Sequence, residues 1–329
     1  MPCEIKRRRS PSPDEVLLKR EPSSSLSPPP PSPLVFPPKV SSAKSTHKAK
    51  KLKILSDFTS SSPFPDYSHP THEEAQDVCA LLAKTHPQHA GARRAPSSAG
   101  NSASTCGGVS NVIDSLIGTI LSQNTNAANS TSAKRSLDAT FGLHNFGAIA
   151  DAPREDVIEA IRHGGLANRK ATIIQNLLRA IHVRHSTYSL QHLASPSVCD
   201  AAAMEELVSY DGVGPKTAAC VLLFCLGRDS FAVDTHIYRL TRLLGWVPQK
   251  ADRIQAQMHL DVRVPKELKY PLHVLMIQHG RTCKGCKANG RGGIGECILK
   301  EYMRDKKSVK SEVIETTIEG TERIMSERD

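Results

Sequence analysis

Apolar residues recur at helical spacing through most of the chain between residues 72 and 280. Ala75, Val78, Leu81 and Leu82 keep that spacing up to Pro87, and Val112, Ile113, Leu116, Ile117, Ile120 and Leu121 form one apolar face. The windows 155–163, 168–184, 203–210, 216–226, 235–244 and 267–279 repeat the type. No run alternates apolar and polar residues as a half-buried strand does, so the pattern predicts an all-α core over 71–303. There is no sequence repeat.

Three stretches break the pattern. Residues 1–70 hold 14 of the 22 prolines and many serines. They offer too little apolar surface to offset the entropy of ordering, and a disordered tail is expected. Residues 88–108 are small, polar and rich in Gly and Ser, which predicts a flexible insertion. Residues 304–329 are charged and are expected to fray as a second tail.

Composition narrows the class. The 329 residues are 39% hydrophobic and 23% charged, the balance of a globular protein with tails. The longest uncharged apolar stretch, Thr217 to Gly227, falls short of the about 20 residues that cross a bilayer, so no membrane association is expected. Net charge is +10. The tail carries +6 of it and residues 71–304 another +6, so the folded part itself suits a polyanion. Two clusters in the tail, Lys6-Arg-Arg-Arg9 and Lys48-Ala-Lys-Lys-Leu-Lys53, read as nuclear-import signals or as non-specific nucleic-acid patches. A mitochondrial destination is the alternative, opposed by Glu4, Asp14, Glu15, Glu21 and the prolines. The nine cysteines, an odd number without an apolar leader before them, fit a reducing compartment.

The most informative segment is Leu207-Val-Ser-Tyr-Asp-Gly-Val-Gly-Pro-Lys-Thr-Ala-Ala219. One helix runs into Gly212-Val213-Gly214 and another begins at once, with Pro215 in its first turn, where a missing N–H costs nothing. Two glycines around one apolar residue allow positive φ and close backbone approach. The result is a helix-hairpin-helix over 203–227, whose turn N–H groups and second-helix N-terminus offer an anion site of phosphate size.

Lys216 starts that second helix. The helix dipole and desolvation both disfavour its ammonium, which predicts a pKa lowered toward neutrality and a free amine nucleophile. Asp234, in Phe231-Ala-Val-Asp-Thr-His-Ile237, is placed as the N-cap of the next helix. Each alone is ordinary; after a helix-hairpin-helix the pair points to chemistry.

Here the chain resembles the helix-hairpin-helix (HhH-GPD) DNA glycosylases, most closely the endonuclease III branch. The resemblance covers about 110–283. It rests on Ile120-Leu-Ser-Gln-Asn-Thr125, Gly165-Leu-Ala-Asn-Arg-Lys170, Gly212-Val-Gly-Pro-Lys-Thr-Ala218, Val233-Asp-Thr-His-Ile237 and His279-Gly-Arg281. It implies a two-lobed fold with a DNA cleft between the lobes: 110–265 as a helical barrel, 71–87 with 266–303 as the second lobe. It implies Lys216 as Schiff-base nucleophile and Asp234 as essential carboxylate. Gln123 would fill the gap left by a flipped base, and Lys170, Gly212, Val213, Gly214 and Thr217 would contact DNA. The expected partner is duplex DNA carrying a damaged base or an abasic site, bound by a monomer. The expected reaction is base excision coupled to AP lyase β-elimination, on oxidised pyrimidines.

Members of that branch often hold a 4Fe–4S cluster on four cysteines spaced C-x6-C-x2-C-x5-C. This chain offers Cys283-x2-Cys286-x10-Cys297, one ligand short and differently spaced. A zinc site on these three with His279 is a second metal reading. The incomplete pattern leads to the expectation of no cofactor and a metal-free loop, in which Lys284, Lys287 and Arg291 could touch phosphates. Arg239 and Arg242 either line the cleft or face water, His236 packs, and Trp246 is core. Two other functions stay open: a 5-methylcytosine or mismatch glycosylase on the same fold, and a catalytically idle DNA-binding protein.

Overall fold

The computed structural model describes residues 61–286, 297–306 and 308. Both basic clusters, Lys287, Arg291 and residues 309–329 lie outside the described residues. The described helices are α1 (His72–Thr85), α2 (Val112–Leu121), α3 (Ala127–Phe141), α4 (Phe146–Asp151), α5 (Arg154–Ala160), α6 (Ala167–His185), α7 (Asp200–Ser209), α8 (Pro215–Cys220), α9 (Thr235–Leu243), α10 (Arg253–Arg263), α11 (Lys266–Thr282) and α12 (298–306). Short 3₁₀ turns intervene, and the described residues contain no strand, only an isolated bridge between Ser97 and Val109. The expected all-α class holds. None of the described helices is long and apolar enough to cross a membrane.

Helix starts follow local chemistry. Thr71 and Glu74 close a capping box on α1, and the Asn111 side chain accepts from the Asp114 N–H at 2.9 Å to open α2. All of α2 is buried. It forms the axis of a first core, built with α3 to α8 and running from Ala103 to Cys225. A second core gathers α1, α9, α10, α11 and α12 around Trp246, which is 1% exposed. The chain crosses from one core to the other between Leu226 and Phe231. This moves the lobe boundary expected near 265. The apolar stripe of α9 (Ile237, Leu240) packs with Leu272 and Met276 of α11 and Val78 of α1, so 231–265 belongs with the second lobe.

Three further boundaries change. Residues 61–70 do not continue a disordered tail: Phe64 packs on the second core and the Tyr67 hydroxyl donates to the Gly245 carbonyl at 2.6 Å. An aromatic and a half-buried hydrogen bond outweigh the local prolines. At the other end α12 continues to residue 306, where Lys306 pairs with Glu74.

The segment expected to be a flexible insertion is folded along its second half. Ser102 and Ala103 are buried, Asn101 donates to the Thr131 carbonyl at 3.1 Å, and its side-chain oxygen accepts from the Ala103 and Ser104 N–H groups. A Cβ on Gly118 of α2 would sit 2.5 Å from the Ser102 carbonyl carbon. Small residues on both sides let two backbones touch. Gly118→Ala is expected to destabilise the fold by about 1–3 kcal/mol, the cost of overpacking, seen as a lower urea midpoint at unchanged m.

Candidate active site

The hairpin forms as the glycine pattern predicts, though its two glycines do different things. Gly212 has φ +85°, and a Cβ there would lie 2.4 Å from Ile173 Cγ2, so conformation and space both require glycine. Gly214 is the N-cap of α8 with open space where a side chain would stand. Beyond Cys220 the helix widens into a π-turn, Val221–Cys225, a distortion often found beside functional sites.

The hairpin borders a cleft of about 550 Å³ between the two cores. Gln123, Asn124, Gly212, Val213, Gly214, Lys216, Thr217 and Asp234 all line it. Gln123 Nε2 donates to Thr217 Oγ1 at 3.1 Å, joining the turn after α2 to α8. Asp234 caps α9 as expected, its Oδ1 accepting from the Ile237 N–H at 2.8 Å. Among the cleft-lining residues Asp234 is the single carboxylate, against Lys216, Arg169, Arg253 and Arg281. Such a wall attracts a polyanion.

Lys216 is half-buried and hydrogen-bonds the Cys220 sulfur one turn along. Burial works to lower its pKa, but the Cys220 sulfur, the Asp234 carboxylate and the Cys106 sulfur outweigh burial and hold it above the ordinary lysine value. This corrects the expectation of a lowered pKa. The helix dipole was only one contributor; Cys220 one turn along the same helix, and Cys106 and Asp234 from distant parts of the chain, favour the ammonium.

Lys170 is not a DNA contact. Its side chain is 2% exposed, and Nζ donates to the Leu121 and Gly164 carbonyls at 2.7 Å each. A cation thus sits at the C-terminal end of α2, where the dipole favours it. Burial lowers its pKa to about 8. The folded state therefore binds this proton less tightly than the unfolded chain, and its share of stability improves as pH rises from about 8. Lys170→Met strands two buried carbonyls and is expected to cost about 2–4 kcal/mol, while the salt dependence of DNA binding stays unchanged. Arg239 is likewise engaged, donating to the Gly280 carbonyl at 2.9 Å. Arg242 donates to Gln249 at 2.7 Å, and His236 packs against Gly280.

Nothing in the sequence singles out His273. It is 1% exposed and lines the cleft from α11. Nδ1 donates to the Ala232 carbonyl at 2.8 Å, leaving Nε2 a buried lone pair with no hydrogen-bond partner. Burial, helped by Lys216 and Arg281 and opposed by Asp234, lowers its pKa to about 4, so the ring is neutral at pH 7. A histidine inside an apolar helical run looks like core, and only the packing of α11 across the cleft reveals it. Cys106 and Gln257 join the wall in the same way.

The thiols beyond α11 do not fit a 4Fe–4S cluster. Three cysteines are present. With His279, their ligand atoms all lie within 4.8 Å of one another, whereas a cubane binds each ligand through a different iron and spreads them wider.

Residues 117–266 match the HhH-GPD superfamily base excision DNA repair protein family. The chain is 37% identical over 243 residues to a putative DNA glycosylase of Arabidopsis thaliana, covering 69% of this chain and 82% of that protein. It is 31% identical over 201 residues to endonuclease III of Sulfolobus acidocaldarius, covering 60% of this chain and 84% of the relative. A solved non-covalent endonuclease III–DNA complex shares the fold at TM-score 0.53 and 24% identity, over 70% of this chain and 98% of that one. The chain belongs to the HhH-GPD superfamily of base excision DNA repair proteins, as a DNA glycosylase of the endonuclease III type.

Proposed function

We propose that the protein removes a damaged base from duplex DNA and then cuts the strand at the resulting abasic site, with Lys216 as nucleophile. The observation that carries this reading is one lysine and one carboxylate that line the same otherwise cationic cleft and feel each other's charge.

A base inside a duplex is out of reach, so the nucleotide must rotate out, at a cost of a few kcal/mol. The cleft volume of about 550 Å³ is in the range of a small-molecule site. Gln123 stands at its rim, held by Thr217, where a side chain can occupy the space an extruded base leaves. The open N-cap at Gly214 leaves room for a phosphate against the hairpin.

Asp234 stabilises the positive charge that grows on the sugar as the C1′–N bond breaks and the base departs with the bonding pair. The Lys216 ammonium gives up a proton before its nitrogen can attack C1′. Asp234 is the nearby carboxylate that can take it, while His273, held neutral by burial, adds no competing positive charge to the same wall. The amine bonds C1′ and the sugar ring opens to an imine. Loss of a C2′ proton then expels the 3′ phosphate, which breaks the strand by β-elimination.

The substrate class proposed is oxidised pyrimidines. The described wall carries hydrogen-bonding side chains such as Thr119, Gln257 and His273 and no Phe, Tyr or Trp to stack on a cationic base. A panel of duplexes bearing one oxidised pyrimidine, one 5-methylcytosine or one G·T mismatch tests this. Release is expected from the first alone. Binding to abasic DNA without release from any duplex would favour an idle DNA-binding protein. The tail's basic clusters support a nuclear setting, tested by deleting them from a fluorescent fusion.

A further inference from the structure

Beyond α11, four side chains from three separate places converge. His279 lies in the last turn of α11, Cys283 and Cys286 in the turn that follows, and Cys297 directly before α12. We propose that His279, Cys283, Cys286 and Cys297 bind one zinc ion in a tetrahedral site that staples α12 to the end of α11.

The spacing fits a single small ion. Ligands on one zinc, at about 2.3 Å for sulfur and about 2.0 Å for nitrogen, stand roughly 3.5–3.8 Å apart on a tetrahedron. Here Cys297 Sγ lies 3.6 Å from His279 Nε2 and 3.0 Å from Cys286 Sγ, with all four ligand atoms inside 4.8 Å. Three thiolates and one imidazole form a common structural zinc set, and a C-x2-C pair in a tight turn is a common way to present two of them.

Burial and orientation agree. His279, Cys286 and Cys297 are each under 5% exposed within the second core. The imidazole turns Nε2 toward the thiols, while Nδ1 lies 3.0 Å from Nε2 of His86 at the end of α1. With Nε2 on the metal, Nδ1 carries the proton and donates it to His86. Ligating histidines generally hold their second nitrogen in such a bond. Three thiolates around Zn²⁺ leave one net negative charge, which Lys284 and Arg281 flank.

The site also has a consequence for the cleft. Arg281 lines the cleft and sits two residues from His279 and two from Cys283. Fixing both neighbours on one ion fixes the backbone that presents this cation to DNA.

Elemental analysis of the full-length protein, purified without chelator, is expected to give about one zinc per chain and no stoichiometric iron or sulfide. Replacement by Co²⁺ should produce the visible bands of a tetrahedral thiolate site. Cys286→Ser and Cys297→Ser should each lose the metal, while Cys79→Ser, outside the set, keeps it. Should the serine variants fail to fold, the wild-type protein still decides: a strong chelator should lower Tm by at least about 5 °C and weaken DNA binding, with zinc restoring both. Iron with matching sulfide would overturn the proposal. So would a Cys286–Cys297 disulfide in the isolated protein, or a metal-free protein indifferent to chelator.

Discussion

Lys216→Gln is expected to abolish the covalent adduct formed when the protein is mixed with abasic DNA and borohydride. Strand cleavage should fall by at least about 10³-fold, as when the nucleophile of a concerted site is removed. Glutamine keeps the length and polarity of the side chain but has no amine to form an imine. Folding should survive, because Lys216 is a half-buried residue of the cleft wall that belongs to neither apolar core. DNA affinity should stay within a few-fold, since Arg169, Arg253 and Arg281 still line the cleft. Adduct formation that persists in this variant would place the nucleophile elsewhere. Loss of binding without a change in trapping per bound complex would make Lys216 a phosphate contact.

Asp234→Asn separates two roles that one carboxylate performs. The side chain caps α9 through an oxygen that accepts from the Ile237 N–H. Asparagine caps as well as aspartate, so stability should change by only a few tenths of a kcal/mol. The negative charge facing the sugar is lost, and base excision should slow by about 10²–10³-fold. Trapping on a preformed abasic site should fall less, because no base remains to be expelled. The substitution also removes one of the groups that hold the Lys216 pKa up. The pH profile of the remaining imine formation should therefore shift to lower pH. Asp234→Ala would add the loss of the cap, about 1 kcal/mol. Unimpaired excision by the asparagine variant would remove Asp234 from the chemistry.

The hairpin and its two key residues were legible because their signals are local. Gly212, Pro215 and the N-cap at Asp234 each work through backbone within a few residues of themselves. The helical periodicity that predicted α2 and α6 is local in the same sense. Lys170 shows the opposite case. On α6 it looks like one of several surface cations, and only the end of α2, 49 residues earlier, explains why its amine is buried. The reversal at Lys216 has the same origin in part: Cys220 is its neighbour one turn along α8, but Cys106 and Asp234 join it only in the folded chain.

The helical class, the hairpin and the identity of the two groups proposed to do the chemistry can be read from neighbouring residues, because turn geometry, capping and apolar period are written there. Tertiary structure alone decided which charges those groups feel, where one core gives way to the next, which segment lies against α2, and that four ligands from α11 to α12 meet. These depend on distances between residues far apart in the chain, and packing of whole helices sets those distances.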